Sequence, residues 1–411
     1  MISKNGIRII YGDKPGQMVK ELLEAIRPEA EAEIEKDTLI GIKPNLVVAK
    51  PSDSGATTSP EIVAGIIEYL KSKGHSNIVI MEGSWVGDRT SEAFRVCGYE
   101  DLSREYGVPL IDLQKDRSRT YEADGMRISV CDHVMKVGYL INVPVMKGHC
   151  QTKMTCALKN MKGCIPDSEK RRFHTMGLHK PIAYLNRIIK QDLIIVDGMN
   201  GDLNFEEGGN PVRMNRIFAG KDPVLIDAYA AYLMGFSVEE IPYIGLAERI
   251  GVGTADLENA DIVELNSYAA VSGTHDSDVS SSDAVDRHVG TTVPGTVAGP
   301  GRLSVSMRVM PGVLPGAAPT GKVKQLAAHI VEDCACSACY GSLIHALERL
   351  REKGLLNRLE EKLYIGQGFR SRRLNAPGIG SCTSGFDRYV KGCPPKARDI
   401  VEYLEGMISA T

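Results

Sequence analysis

Four short apolar runs, residues 39–42, 78–81, 139–143 and 193–196, constrain the fold most, because each ends at once in polar chemistry. Lys43 and Asn45 follow the first, Glu82 the second, Lys147 and His149 the third, and Asp197 the fourth. Runs of four or five Ile, Leu and Val residues are too short to be buried helices, so they are read as buried strands. Helical patterns separate them. Met18 to Ile26 begins the series; Ser59 and Pro60 then cap and open a stripe of Ile62, Val63, Ile66, Ile67 and Leu70 that Gly74 closes. Asp222 and Pro223 open an alanine-rich helix that stops at Gly235. Strand and helix in alternation predict an α/β domain over 1–265, with a mostly parallel sheet and helices on both faces.

In such a sheet the carboxyl ends of the strands share one edge, and ligands bind in the crevice outside it. The four polar strand ends are therefore expected to converge, although any one of them alone is more often a solvated loop residue. The richest stretch is INVPVMKGHCQTKMTCALKNMKGC, residues 141–164. Thr152, Thr155, Lys159 and Lys162 are spaced by three, four and three, which predicts one face of a helix beginning near 149–152. Met154, Leu158 and Met161 would pack on the sheet. The free N–H groups and positive end of that helix would aim at the crevice. With Lys43 and Lys147 nearby, the expected guest is an anion: a carboxylate, a phosphate or an enolate-like intermediate. The competing reading is a solvated amphipathic helix. His149 or His174 could serve as general acid or base, against a structural role for either. No G-x-G-x-x-G opens the first helix, and the sequence has no P-loop, nucleophile elbow or H-E-x-x-H pair.

A second signal lies near the other end. Five of the ten cysteines fall between 334 and 393, beside glycines and prolines. Cys336 and Cys339 form a C-x-x-C pair, Cys382 ends a Gly-Ile-Gly-Ser run, and Cys393 precedes two prolines. Four thiolates from three loops suit a [4Fe-4S] cluster, with Cys334 able to replace Cys336. Proline after Cys393 would start a helix carrying Ala397, Ile400, Val401 and Leu404 on one face. Zinc remains an alternative, although its usual knuckles use two close pairs. Buried structural thiols are the other, and that is the reading given to Cys150, Cys156 and Cys164.

At 411 residues, two domains are expected. Lys+Arg 49 against Asp+Glu 52 gives no overall field for nucleic acid or acidic lipid, and one Trp with seven Phe offers little base-stacking surface. No membrane span and no secretory h-region are evident, so a cytoplasmic, reducing location is expected. From 267 to 321 there is no Lys and no Glu, while Ser, Thr, Gly, Val and Pro dominate. That bias marks 266–321 as a low-complexity insertion, a linker or a sequence artefact, with 307–314 as a candidate short strand. Residues 322–411 then read as a small α/β unit built around the thiols, including a strand over 363–369.

KPNLV (43–47), the Glu82-Gly83 pair, NVPVMKGHCQTKMTCALKNMKG (142–163), FHTMGL (173–178), Asp197-Gly198 and DPVLIDAYAAYLMG (222–235) together resemble the family catalogued as domain of unknown function 362. The resemblance implies this fold over roughly 38–255 and an accompanying iron–sulfur module. The C-x-x-C, G-S-C and G-C-P-P elements are similar to the cluster-binding part of hydrogenase small subunits, and the early basic-proline motif is similar to that of the lactate racemase family. The leading expectation is a redox enzyme. One [4Fe-4S] cluster would exchange electrons with a small anion held by Asn45, Thr152, Thr155, Lys159, Lys162 and Asp197, with Lys43, Glu82, Lys147, His149 and His174 as catalytic candidates. A redox partner protein is compatible with this, and self-association stays open. The alternatives are a non-redox isomerase or lyase with a structural or Lewis-acid cluster, and a non-catalytic electron-transfer protein.

Overall fold

The computed structural model describes residues 2–203, 206–209, 211–266, 326–333, 335 and 337–410. The 267–321 segment therefore lies outside the described residues, as do Cys334 and Cys336. Twelve strands belong to the first unit. Eight form one sheet: β1 (Gly6–Tyr11), β2 (Ile40–Pro44), β3 (Ile78–Glu82), β4 (Leu110–Asp112), β7 (Tyr139–Val143), β10 (Leu193–Asp202), β11 (Pro211–Gly220) and β12 (Asp261–Glu264). Two hairpins supply the others, β5 (Ser118–Ala123) with β6 (Met126–Cys131), and β8 (Lys147–His149) with β9 (Lys153–Thr155). The large sheet runs β12-β1-β11-β10-β7-β2-β3-β4. β10, β7, β2, β3 and β4 are mutually parallel, while β11 is antiparallel to both β10 and β1. The four polar-ended runs are thus neighbouring parallel strands, as their pattern predicts.

Side chains alternate across this sheet. Ile194 and Val196 join a core with Leu158, Phe173, Ile182 and Leu225 on one face. Leu193 and Ile195 join Leu22, Ile62, Ile66 and Ile67 on the other. Helices Pro15–Glu33 and Pro60–Ser72 cover the second face, with Pro60 opening its helix. The Ser59 side chain makes no cap. Instead the Asp197 carboxylate, midway along β10, accepts from the Ser59 backbone N–H at 2.8 Å, so the strand caps the helix. Asp222 does cap its helix, Pro223–Leu233, accepting from the N–H groups of Val224 and Leu225. Burial of each such Ile or Leu contributes roughly 1.5–3 kcal/mol, an upper bound against a compact unfolded chain.

The C-terminal unit is a second parallel sheet, β13 (Ile330–Glu332), β14 (Leu363–Ile365), β15 (Pro377–Ile379) and β16 (Arg388–Val390), in that spatial order. Helices Ser337–Glu352 and Ala397–Ala410 share a core with it through Leu343, Leu347, Ile365, Ile379, Ile400 and Leu404. The expected 363–369 strand stops at Ile365, because Gly366 at φ +130 turns the chain into a single 3-10 turn. The last helix begins at Ala397, one turn later than a start at Pro394 would give.

Candidate functional site

The stretch expected to be one helix from 149 onward is a β-hairpin followed by a short helix, Ala157–Asn160. His149 explains the difference. Its Nδ1 accepts from the backbone N–H of Gln151 and of Thr152, both at 3.1 Å, which closes a tight turn where a helix would need to continue. Nδ1 is therefore unprotonated, so Nε2 carries the ring hydrogen and lies 2.8 Å from Glu206 Oε2. The N–H groups of Ala157 and Leu158 meet the buried Asp227 carboxylate, which takes the place expected for a guest anion. Burial pushes Asp227 up to about 7.

Beyond the carboxyl ends of β2, β3 and β7 lies a cavity of about 970 Å³, open mouth included. Asn45, Glu82, Thr155, Lys159, Lys162 and His174 line it, so six residues singled out from sequence meet there. Lys43, Lys147, His149, Thr152 and Asp197 do not line it; the first three contact Glu82, Asn45 and Glu206, which do. Lys43 is fully buried with its ammonium 2.8 Å from Glu82 Oε1. The other Glu82 oxygen accepts from Leu46 N–H, and Oε1 also accepts from Gly83 N–H. This carboxylate is thus saturated by donors, and it fixes the β2 and β3 ends to each other. A Cβ on Gly163 would lie 2.2 Å from Glu82 Oε1 and 2.7 Å from Lys43 Nζ, so only glycine lets the chain pass over this pair. Lys147 donates to Asn45 Oδ1 and to the carbonyls of Ala56 and Glu206, tying three separate segments together. Burial lowers Lys147 to about 7. Thr152 Oγ1 bonds to the Met154 carbonyl inside the hairpin.

Glu206 was not anticipated. It sits in the loop after β10, in a run of polar residues with no periodic signal. Burial works to raise its carboxyl, yet His149 and Lys159 beside it hold it well below the usual carboxylate range. Lys159 reaches it at 2.6 Å and donates to Thr155 Oγ1. Burial drives His149 down to about 4, so it is neutral at pH 7 with Nε2 close to Glu206 Oε2. Lys162 differs from the other cavity lysines. Its ammonium lies 3.2 Å from His174 Nε2 and makes no ion pair with a carboxylate among the described residues, although Glu206 lines the same cavity. Burial and the neighbouring Lys159 bring it down to about 7, and burial with Lys162 holds His174 well below its ordinary range. Lys170, also missed, bonds to the Ser84 carbonyl and to Asp167.

The remaining wall comes from the C-terminal unit. Gly341, Ile344 and His345 of helix Ser337–Glu352 face Val47, Trp85 and Val86 across the cavity. His345 Nε2 lies 2.9 Å from Glu207 Oε2, and Gln151 donates to the Ala335 carbonyl. The same helix carries Cys339, which with Cys382 and Cys393 lines a smaller cavity floored by Gly380 and Gly392. Gly380 has φ +88, and a Cβ there would lie 3.9 Å from Cys339 Sγ. Among the described residues, no three His, Cys, Asp or Glu groups stand close enough to share a single metal ion. Cys156 and Cys164 are packed core thiols, as expected.

The fold and crevice define an α/β protein with a lysine-rich cavity beyond the strand ends. Within it, residues 40–232 match the family model described as Domain of unknown function (DUF362), so the resemblance read from ALKNMKG holds over that segment. A thylakoid-associated protein of Synechocystis sp. is 24% identical over 231 residues, covering 53% of this chain and 69% of its own length. Among solved structures, the lactate racemase apoprotein from Thermoanaerobacterium thermosaccharolyticum is 14% identical with a TM-score of 0.38, covering 59% of each chain. A protein from Thermotoga maritima is 14% identical with a TM-score of 0.35, covering 58% of this chain and 60% of its own. Both matches span less than two thirds of those structures. Among the described residues, no helix is long and apolar enough to cross a membrane.

Proposed function

We propose that the protein is an iron–sulfur enzyme that performs redox chemistry on a small anion in the Lys159–Lys162 cavity. One observation carries this reading: a single helix, Ser337–Glu352, walls the cavity with Gly341, Ile344 and His345 and brings Cys339 to the cavity of thiols. Cys339 and His345 are six residues apart, about 9 Å along a helix axis. Cys339, Cys382 and Cys393 would hold a [4Fe-4S] cluster together with the fourth thiol expected at 336. Each iron of a cluster takes its own thiolate, so its ligands stand farther apart than those of one zinc ion, and a bare glycine floor leaves room for inorganic sulfide. When bound, such a cluster supplies one-electron transfer.

The chain's own residues do the rest. Lys162 offers the anion a positive charge and, near pH 7, a transferable proton at Nζ, with His174 Nε2 as its neighbour. Lys159, Glu206 and His149 hold a fixed charge pattern beside it, while Trp85, Val47 and Ile344 exclude water. The test is to purify the full chain without oxygen and measure iron, sulfide, visible absorbance and spin resonance before and after dithionite. About four irons per chain with a bleachable band are expected, falling steeply in Cys382→Ser. Zinc, or no metal, would overturn the reading.

A further inference from the structure

The segment 366–398, which carries Cys382 and Cys393, holds seven Arg or Lys residues and one acidic residue, Asp387, a formal charge of +6 in a chain whose total is −3. Arg370, Arg372, Arg373, Arg388, Lys391, Lys396 and Arg398 are all exposed. Carboxylates answer some of them: Asp333 pairs with Arg372, Glu361 with Arg388 and Glu402 with Arg398. None pairs with Arg373, Lys391 or Lys396 among the described residues. All three lie in the exposed segment that carries Cys382 and Cys393. Arg370, Ser371, Ser381 and Ser384 line an open hollow whose floor includes Cys382 and Cys393. The Arg373 stem lies beside Gly385, Lys391 sits two residues before Cys393, and Lys396 follows the Pro395 that packs near Gly380. Two cysteines therefore border both the inner cavity and this outer basic hollow.

We infer that this face docks an acidic protein that carries single electrons, such as a ferredoxin, and that electrons enter there. The inference rests on the redox reading above. The step would balance through the partner: a cluster held by Cys339, Cys382 and Cys393 would supply the acceptor for the one electron that the partner's reduced centre loses, with no proton or bond involved. Unpaired charge of one sign around a hollow steers an opposite partner and makes binding salt-sensitive. A small anion alone would need no such extended rim.

The experiment is equilibrium and stopped-flow binding of the full chain, purified anaerobically, to an acidic ferredoxin at low and high salt. Cytochrome c, a basic carrier, and a short DNA duplex serve as comparison ligands. Salt-sensitive ferredoxin binding is expected, with association slowed on the order of tenfold or more in the triple variant Arg373→Glu, Lys391→Glu, Lys396→Glu. Dithionite reduction of that variant should stay unchanged. Because all three side chains are exposed, an unaltered melting temperature should accompany the loss. Ferredoxin binding unaffected by the triple variant, equal binding of cytochrome c, or tighter binding of DNA through the same residues would each overturn the inference. A chain that proves iron-free on anaerobic purification would overturn the redox reading and this inference with it, whereas iron-loaded protein that binds ferredoxin regardless of the triple variant would overturn the inference alone.

Discussion

Gly163 decides whether the buried Lys43–Glu82 pair can exist. Both partners are almost wholly removed from water, where an ion pair survives only if its hydrogen bonds are complete. Gly163→Ala would push a methyl group into that pair. We expect a loss of about 3 kcal/mol, read by urea unfolding, with no change in a variant such as Gly74→Ala beyond its own turn strain. Lys162 governs ligand binding rather than folding. Its ammonium is lowered from the ordinary lysine range to about 7, so it is protonated below that pH and neutral above it. Affinity for a small carboxylate such as glycolate should therefore fall as pH rises through 7. Lys162→Arg, which stays charged, should abolish that decline, and calorimetric titration at pH 6 and pH 8 would show it. Lysines 43, 147, 159 and 162 were all visible in the sequence. Which of them faces a ligand was not, because that depends on carboxylates brought from distant segments: Glu82 takes one and Glu206 another.

Strands and helices of the first unit followed their patterns closely. Apolar runs ending in polar residues became neighbouring parallel strands, and the Asp222-Pro223 and Gly235 signals marked their helix. The failure at 149–156 has a physical cause. Spacing by three and four suits a helix, but the His149 ring satisfies two successive N–H groups in a turn, and β8 then pairs with β9. Asp227 completes the substitution by capping Ala157–Asn160 from another helix. Its carboxyl is raised to about 7 by burial, against 3.8 for an unburied group. Folded protein thus keeps a proton that the unfolded chain releases. The resulting stability is complete below pH 4 and lost as pH rises through 7. Asp197, raised to about 6, acts in the same direction. Asp227→Asn should flatten the stability profile between pH 4 and 7, by no more than about 1.4 kcal/mol per pH unit. Urea midpoints across that range would reveal a slope that Asn fails to change, if the assignment is wrong.

The two units meet over the cavity, and no motif announces that contact. Cysteine spacing pointed to a four-thiol cluster cage in the C-terminal unit; Cys339, Cys382 and Cys393 line one pocket there, while Cys336 lies outside the described residues. That the same helix also closes the lysine cavity could not be read, since Gly341, Ile344 and His345 carry no motif. This division of labour has a consequence for synthesis on the ribosome. The sheet of the first unit is complete at Glu264, but the wall arrives with His345, about 80 residues later. At 5–20 residues per second, the charged groove stays unroofed for roughly 4–16 s in each new chain. During that interval Lys159 and Lys162 are exposed to every anion in the compartment. A selective pocket exists only once the thiol-bearing segment has been made and has folded back onto the sheet.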